Sequence, residues 1–177
     1  MKANHRIIEP ARILLPKEGT DLSRWAVLAC DQFTSQPDYW QKARDFVGSA
    51  PSCLDLILPE VYLDQPDVEA RIRSIHDAMA GALSQTLTRT VDGFVYLRRT
   101  TESGTREGLV AAVDLEQYSY APGSIPLIRP TERTVTERIP PRLAVRRGAP
   151  LEAPHILMLV DDPANTLLGP LAAATEG

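Results

Sequence analysis

VDGFVYLRRTTESGTREGLVAAVDL, residues 91–115, decides the fold class, because here the hydrophobic period of the chain changes. Two arms rich in β-branched and aromatic residues, VDGFVYLRRT and REGLVAAVDL, flank a polar stretch, which predicts a β-hairpin turning around Ser103-Gly104. Strand alternation places Phe94, Tyr96 and Arg98 on one face of the first arm and Val95, Leu97 and Arg99 on the other. Immediately upstream the period is helical. In PDVEARIRSIHDAMAGALSQTL (66–87) the apolar positions Val68, Ile72, Ile75, Met79, Ala82 and Leu83 recur at steps of three and four.

Working outward, a second helix is predicted after residue 35. Ser35 is its candidate cap, Asp38 its capping-box acid, Pro37 lies in the first turn and Gly48 is the stop. Three short apolar runs, WAVLAC (25–30), LDLIL (54–58) and HILMLV (155–160), have the composition of buried strands. Helices and strands interleaved around a hairpin predict an α/β to α+β fold: a mixed sheet with a β-hairpin and flanking helices. Two approximate sub-lobes follow, an α/β lobe over 1–90 and a lobe over 91–177 with the hairpin and an arginine-rich segment. No internal repeat divides the chain further.

Composition bounds the function. A chain of 177 residues, 44% hydrophobic, has material for one core. No apolar run approaches the roughly 20 residues a spanning helix needs, so no membrane partner is expected. The start, MKANHRIIEPARILLP, lacks the pattern of a signal peptide, and the expected location is the cytoplasm. Cys30 and Cys53 show no CxxC spacing and read as free thiols. A net charge of −4 argues against nucleic acid as a partner, since phosphate-backbone affinity needs a basic face.

The basic residues are nevertheless biased toward arginine, with only Lys2, Lys17 and Lys42 as lysines. They concentrate in LIRPTERTVTERIPPR (127–142), which interleaves Arg129, Arg133, Arg138 and Arg142 with Thr131, Thr134 and Thr136. Guanidinium forks and hydroxyls near a helix N-terminus suit a phosphate. Equally, the segment reads as a short surface helix of exposed ion pairs, opened by Pro130 and ended by Pro140-Pro141. Three apolar runs end in acids: Asp31, Glu60 and Asp161-Asp162. Such acids converge on a ligand in open α/β sheets, or else cap the next element. His5, His76 and His155 have no zinc-like spacing, so no metal-ligating residue is expected. Asp31 and Gln32 also fit a plain polar turn, and Tyr39 and Trp40 fit the core of the helix they open.

Together, ARILLPKEGTDLSRWAVLACDQFTSQPDYW, LDLILPEVYL, GLVAAVDLEQYSY and LIRPTERTVTERIPPRLAVRRGAPLEAPHILMLVDDP resemble the bacterial and archaeal domain-of-unknown-function family numbered 1015, in register from about Ile8 to Pro163. The resemblance implies a longer protein whose later half is similar to the ParB-like and sulfiredoxin-like nucleotide-binding superfamily. The shared signature there is Asp-Gly followed by His or Asn-His. Here the only Asp-Gly, Asp92-Gly93, is followed by Phe94-Val95, so the signature is absent. The chain is accordingly expected to be a truncated, N-terminal portion of such a protein and to be inactive alone.

Carried over by position from the family pattern are Asp31, Gln32, Thr34, Ser35, Arg129, Glu132, Arg133, Thr136, Glu137, Arg138 and Arg142. Their chemistry makes Asp31 the candidate catalytic acid and the others candidate phosphate or ligand contacts. Two functions follow. One is part of a kinase-like, nucleotide-dependent phosphotransferase acting on a small molecule, with ATP, ADP or CTP and Mg²⁺ as cofactors. The other is a non-catalytic ligand-binding or interdomain and subunit docking module, partnered by a missing C-terminal half or by self-association. Sequence-specific DNA binding ranks third, with no helix-turn-helix pattern to carry it.

Overall fold

The computed structural model describes residues 6–130, 135–153 and 155–175. The chain divides into two compact units, one made of Leu15–Arg89 with Thr134–Leu157, the other of Met1–Leu14, Thr90–Arg133 and Met158–Gly177.

The first unit holds the helical packing. Helix α1, Leu22–Trp25, is a single turn whose N-cap Asp21 accepts the Ser23 N–H at 3.0 Å. Residues 26–29 are irregular, so WAVLAC is not the strand its composition suggested: its first residue closes α1. Helix α2, Pro37–Val47, starts where expected, since the missing N–H of proline costs nothing in a first turn. Its N-cap position is Gln36 rather than Ser35, without a side-chain cap bond, and Gly48 ends it at φ 59° and ψ −127°.

LDLIL also departs from the strand prediction. Cys53–Leu56 is a 3₁₀ turn whose cap, the Ser52 hydroxyl, accepts the Leu54 N–H at 3.2 Å, and the chain then runs extended to Pro59. Leu54, Leu56 and Leu58 are all buried, so the run supplies core without pairing as a strand.

Helix α3, Val68–Gln85, matches the periodic segment within two residues at each end. Its Ile75 and Met79 pack with Leu56 and Leu58 into one apolar cluster, and Trp40, Val47 and Leu54 form a second. Helix α4, Ile139–Arg146, carries Pro140 and Pro141 in its first turn. The prolines thus begin a helix that the sequence reading had them end. Their fixed φ and absent N–H suit the first turn, and the preceding Thr136–Arg138 forms a 3₁₀ turn. The His76 Nε2–H donates to the Val145 carbonyl at 2.7 Å, fastening α4 to α3.

The second unit holds the strands, apart from the end residues Leu15 and Arg89. They are β1 (Ile8–Glu9), β2 (Ala11–Leu15), β3 (Arg89–Gly93), β4 (Val95–Thr101), β5 (Gly104–Val110) and β6 (Ala112–Val113). Among the described residues these form three two-stranded sheets, β1 with β6, β2 with β3 and β4 with β5. The fold is thus a mixture of helices and small sheets built around the expected hairpin. The hairpin register runs from Val95 opposite Val110 to Thr101 opposite Gly104. On one face Tyr96 Oη donates to Glu107 Oε1 at 2.5 Å while Arg98 lies 3.8 Å from the same oxygen. A short helix α5 (Gly169–Thr175) follows a turn in which Asp162 accepts the N–H groups of Thr166 and Leu167.

HILMLV forms no strand. Residues 155–160 are exposed and belong to no helix or strand, with no strand partner among the described residues. A buried-strand composition cannot supply the neighbouring strand that strand pairing needs.

Candidate functional site

The feature that organises the first unit's polar chemistry is Glu60. It follows the buried Leu58 and Pro59 at the start of a 3₁₀ turn, Glu60–Tyr62, and its side chain is only 4% exposed. A carboxylate taken out of water needs charged partners. It has two. Arg138 Nη1 lies 3.0 Å from Glu60 Oε2, and Arg142 Nη2 donates to Glu60 Oε1.

These arginines stand four apart across the start of α4, so one helical turn places both over the same acid. The two arginine side chains are about half exposed, at 50% and 48%. One nitrogen of each is held by the buried carboxylate, while each side chain as a whole stays partly open to solvent. Two cations against one carboxylate leave this trio with a surplus of positive charge.

The Glu60 N–H donates to the Cys30 carbonyl at 2.8 Å, which brings the Cys30–Asp31 turn beside the trio. The thiol of Cys30 registers these neighbours. Burial pushes it up first, the negative charges of Asp31 and Glu60 add to the rise, and Arg142 opposes them. A thiol held protonated in this way is no activated nucleophile.

Asp31, Gln32, Thr34 and Ser35 lie together in the exposed turn that precedes α2. The Gln32 side chain donates to Asp31 Oδ1 at 3.4 Å, and the Gln32 N–H donates to the Ala29 carbonyl at 3.0 Å. Between them and Thr34, Phe33 adopts φ 50°, a left-handed conformation that bulky side chains rarely enter. Its ring stacks on Tyr39, with centroids 4.1 Å apart and planes at 19°. Trp40 is 2% exposed and belongs to the core.

The structure therefore brings Asp31, Arg138 and Arg142 into one neighbourhood. Thr136 and Glu137 sit in the exposed 3₁₀ turn before α4. Arg129 lies in the other unit, exposed, donating from Nε to the Pro126 carbonyl at 3.3 Å. Glu132 and Arg133 lie outside the described residues, as do Thr131 and Thr134. Of the acids that close apolar runs, Glu60 is bonded through its backbone N–H to Cys30, the residue before Asp31, whereas Asp162 spends its carboxylate on the turn at 166–167.

Glu60 was legible as an acid closing an apolar run, but not as the anchor of the arginines. The available signal was its context: a glutamate directly after LDLILP must either break the burial or be paired. Among the described residues no three His, Cys, Asp or Glu side chains are grouped to hold a metal, and the Asp31 carboxylate takes a bond from the Gln32 side chain.

Among the described residues no helix is long and apolar enough to cross a membrane. No curated protein and no solved structure gives a significant match to the chain. A family model does match residues 8–176, nearly the whole length, and the chain belongs to that family, described as Protein of unknown function (DUF1015).

Proposed function

We propose that Arg138 and Arg142, oriented by Glu60, form an anion site that holds a phosphate group. The wider reading is a cytoplasmic, nucleotide-dependent phosphotransferase of small molecules in which this chain supplies the phosphate cradle. The observation that carries the proposal is the pair of half-exposed arginine side chains fixed on one buried carboxylate. Bidentate arginines are the usual partners of phosphate oxygens, and holding their far edges removes much of the ordering cost of binding.

Asp31 supports the finer reading. A carboxylate beside a phosphate cradle would repel the ligand unless a cation bridges them, and Mg²⁺ carried by a nucleotide is such a cation. Thr34 and Ser35 offer hydroxyls on the same turn. The likeness to nucleotide-binding ParB-like and sulfiredoxin-like proteins belongs to this proposal and not to the family assignment.

Calorimetric titration of ATP, ADP and CTP with Mg²⁺ into the chain tests it. The expected result is binding of at least one of them, weakened about tenfold or more by Arg138→Ala and by Arg142→Ala, since a charge-assisted bond is worth roughly 1.5–3 kcal/mol. No binding to any of the three, or binding indifferent to both substitutions, overturns the proposal. The docking-module reading draws on a different observation, the exposed apolar run at Ile156–Val160.

A further inference from the structure

A cavity of about 240 Å³ lies in the first unit, between α3 and the chain around the 3₁₀ turn Cys53–Leu56. All of its lining residues fall within Leu15–Arg89, so it belongs to that unit alone. At roughly 30 Å³ per liquid water it has room for far more than one bound water. It is nevertheless smaller than the roughly 300–1,000 Å³ of pockets that take drug-sized ligands, which suits a guest on the scale of a monosaccharide.

Two observations set this cavity apart from a packing gap. Thr86, at the end of α3, lines it and is only 4% exposed, and the Thr86 hydroxyl has no hydrogen-bond partner among the described residues. Buried polar groups are normally satisfied, so this one is left to be satisfied from the cavity. Gly81, inside α3, lines the cavity as well. Glycine weakens a helix interior, and no clash demands it here, since a Cβ would meet nothing within 4 Å. What its missing side chain leaves is open space.

The chemistry of the wall narrows the guest. No Lys, Arg or His lines the cavity, so an anion finds no counter-charge there. The one charged group in the wall, Asp55, already gives its Oδ1 to Arg44 Nη1 at 2.5 Å. The Ser52 hydroxyl, in a residue 3% exposed, accepts the Leu54 N–H at 3.2 Å, and Ser49 and Gln85 add a further hydroxyl and an amide. Trp25 and Leu56 supply apolar surface beside these groups. Neutral donors and acceptors mixed with an aromatic ring complement a carbon skeleton that carries several hydroxyls.

We propose that this cavity binds a small neutral polyol or monosaccharide, with Thr86 as its buried hydrogen-bonding contact and Gly81 keeping it open. The site is separate from the arginines held by Glu60, neither of which lines it, and the two readings stand or fall independently.

Saturation-transfer difference NMR on the whole 177-residue chain tests it, with D-ribose, D-glucose, myo-inositol and glycerol as probes at millimolar concentration and ethanolamine as the comparison. The expected result is a saturable signal from at least one of the polyols. Gly81→Leu, a helix-favouring change that fills the cavity, should abolish that signal. Thr86→Val keeps the shape of the side chain and removes its hydroxyl, and it should weaken binding about three- to tenfold. Thr86→Val carries the test alone if the far-ultraviolet spectrum shows that Gly81→Leu disturbs α3. No saturable signal from any polyol, a signal from ethanolamine alone, or polyol binding indifferent to Thr86→Val overturns the proposal.

Discussion

At the scale of single residues, Glu60 shows how burial and charge constrain each other. Its side chain is buried, and the two arginine side chains that compensate it are half exposed. Loss of one partner leaves a buried charge with half its compensation, whereas loss of the acid leaves two solvated cations. Arg142→Ala should therefore lower stability by about 1–3 kcal/mol, below the figure for a fully buried pair because the arginine is half exposed. Urea unfolding of the variant reports the change. High salt should remove little of the difference, since a buried carboxylate is poorly screened. Cys53 offers a second residue-scale expectation. Burial raises its thiol from the usual 9.0 to about 11. A raised folded value favours the protonated thiol in the native state. Its contribution is fully present below pH 9 and is lost as pH rises from about 9 to about 11. The urea midpoint should fall across that window, and Cys53→Ala should flatten the fall relative to the parent chain.

At the scale of elements, what the sequence disclosed depended on how many local signals agreed. Helix α3 has six apolar positions on one face, and the β4–β5 hairpin has two strand-forming arms around Ser103-Gly104, so tertiary context had little to overrule. The three short apolar runs had one signal each. WAVLAC, LDLIL and HILMLV share a composition that fits a strand, a 3₁₀ turn or an exposed linker, and long-range pairing decides among these. Pro140-Pro141 was ambiguous for a different reason, because a proline both forbids a preceding helix and opens a following one. The arginines were visible as a group, yet their anchor was 78 residues from Arg138 along the chain, as 138 − 60 shows, beyond any local pattern. Gly48, in contrast, was read correctly as a stop, and its geometry sharpens the reading. At φ 59° and ψ −127° it occupies backbone space that only glycine enters cheaply, and nothing lies within 4 Å of where a Cβ would sit. Gly48→Ala should thus cost about 1–3 kcal/mol through backbone strain alone, without steric clash, measurable as a lower thermal midpoint.

At the scale of the whole chain, the apolar material is unevenly placed, and local stability should follow it. In the unit of Leu15–Arg89 with Thr134–Leu157, two clusters join Leu56, Leu58, Ile75 and Met79, and Trp40, Val47 and Leu54. In the other unit, Ile128 is the buried hydrophobic among the described residues, and much of the hairpin is exposed, Thr101 and Gly104 at its turn included. A ladder of hydrogen bonds open to water on its outer half has little beyond its own pairing to hold it closed. Amide hydrogen exchange should therefore find the slowest sites in α3 around Ile75 and Met79, and fast sites at the open end of β4 and β5. Met79 is 1% exposed, so Met79→Ala should cost about 2–5 kcal/mol and speed exchange throughout α3. Exchange in α3 no slower than at the hairpin turn would show that the two apolar clusters do not govern the stability of their unit. That outcome would also weaken the anion site, because Glu60 can orient Arg138 and Arg142 only if the core beneath it, Leu56 and Leu58 included, stays closed.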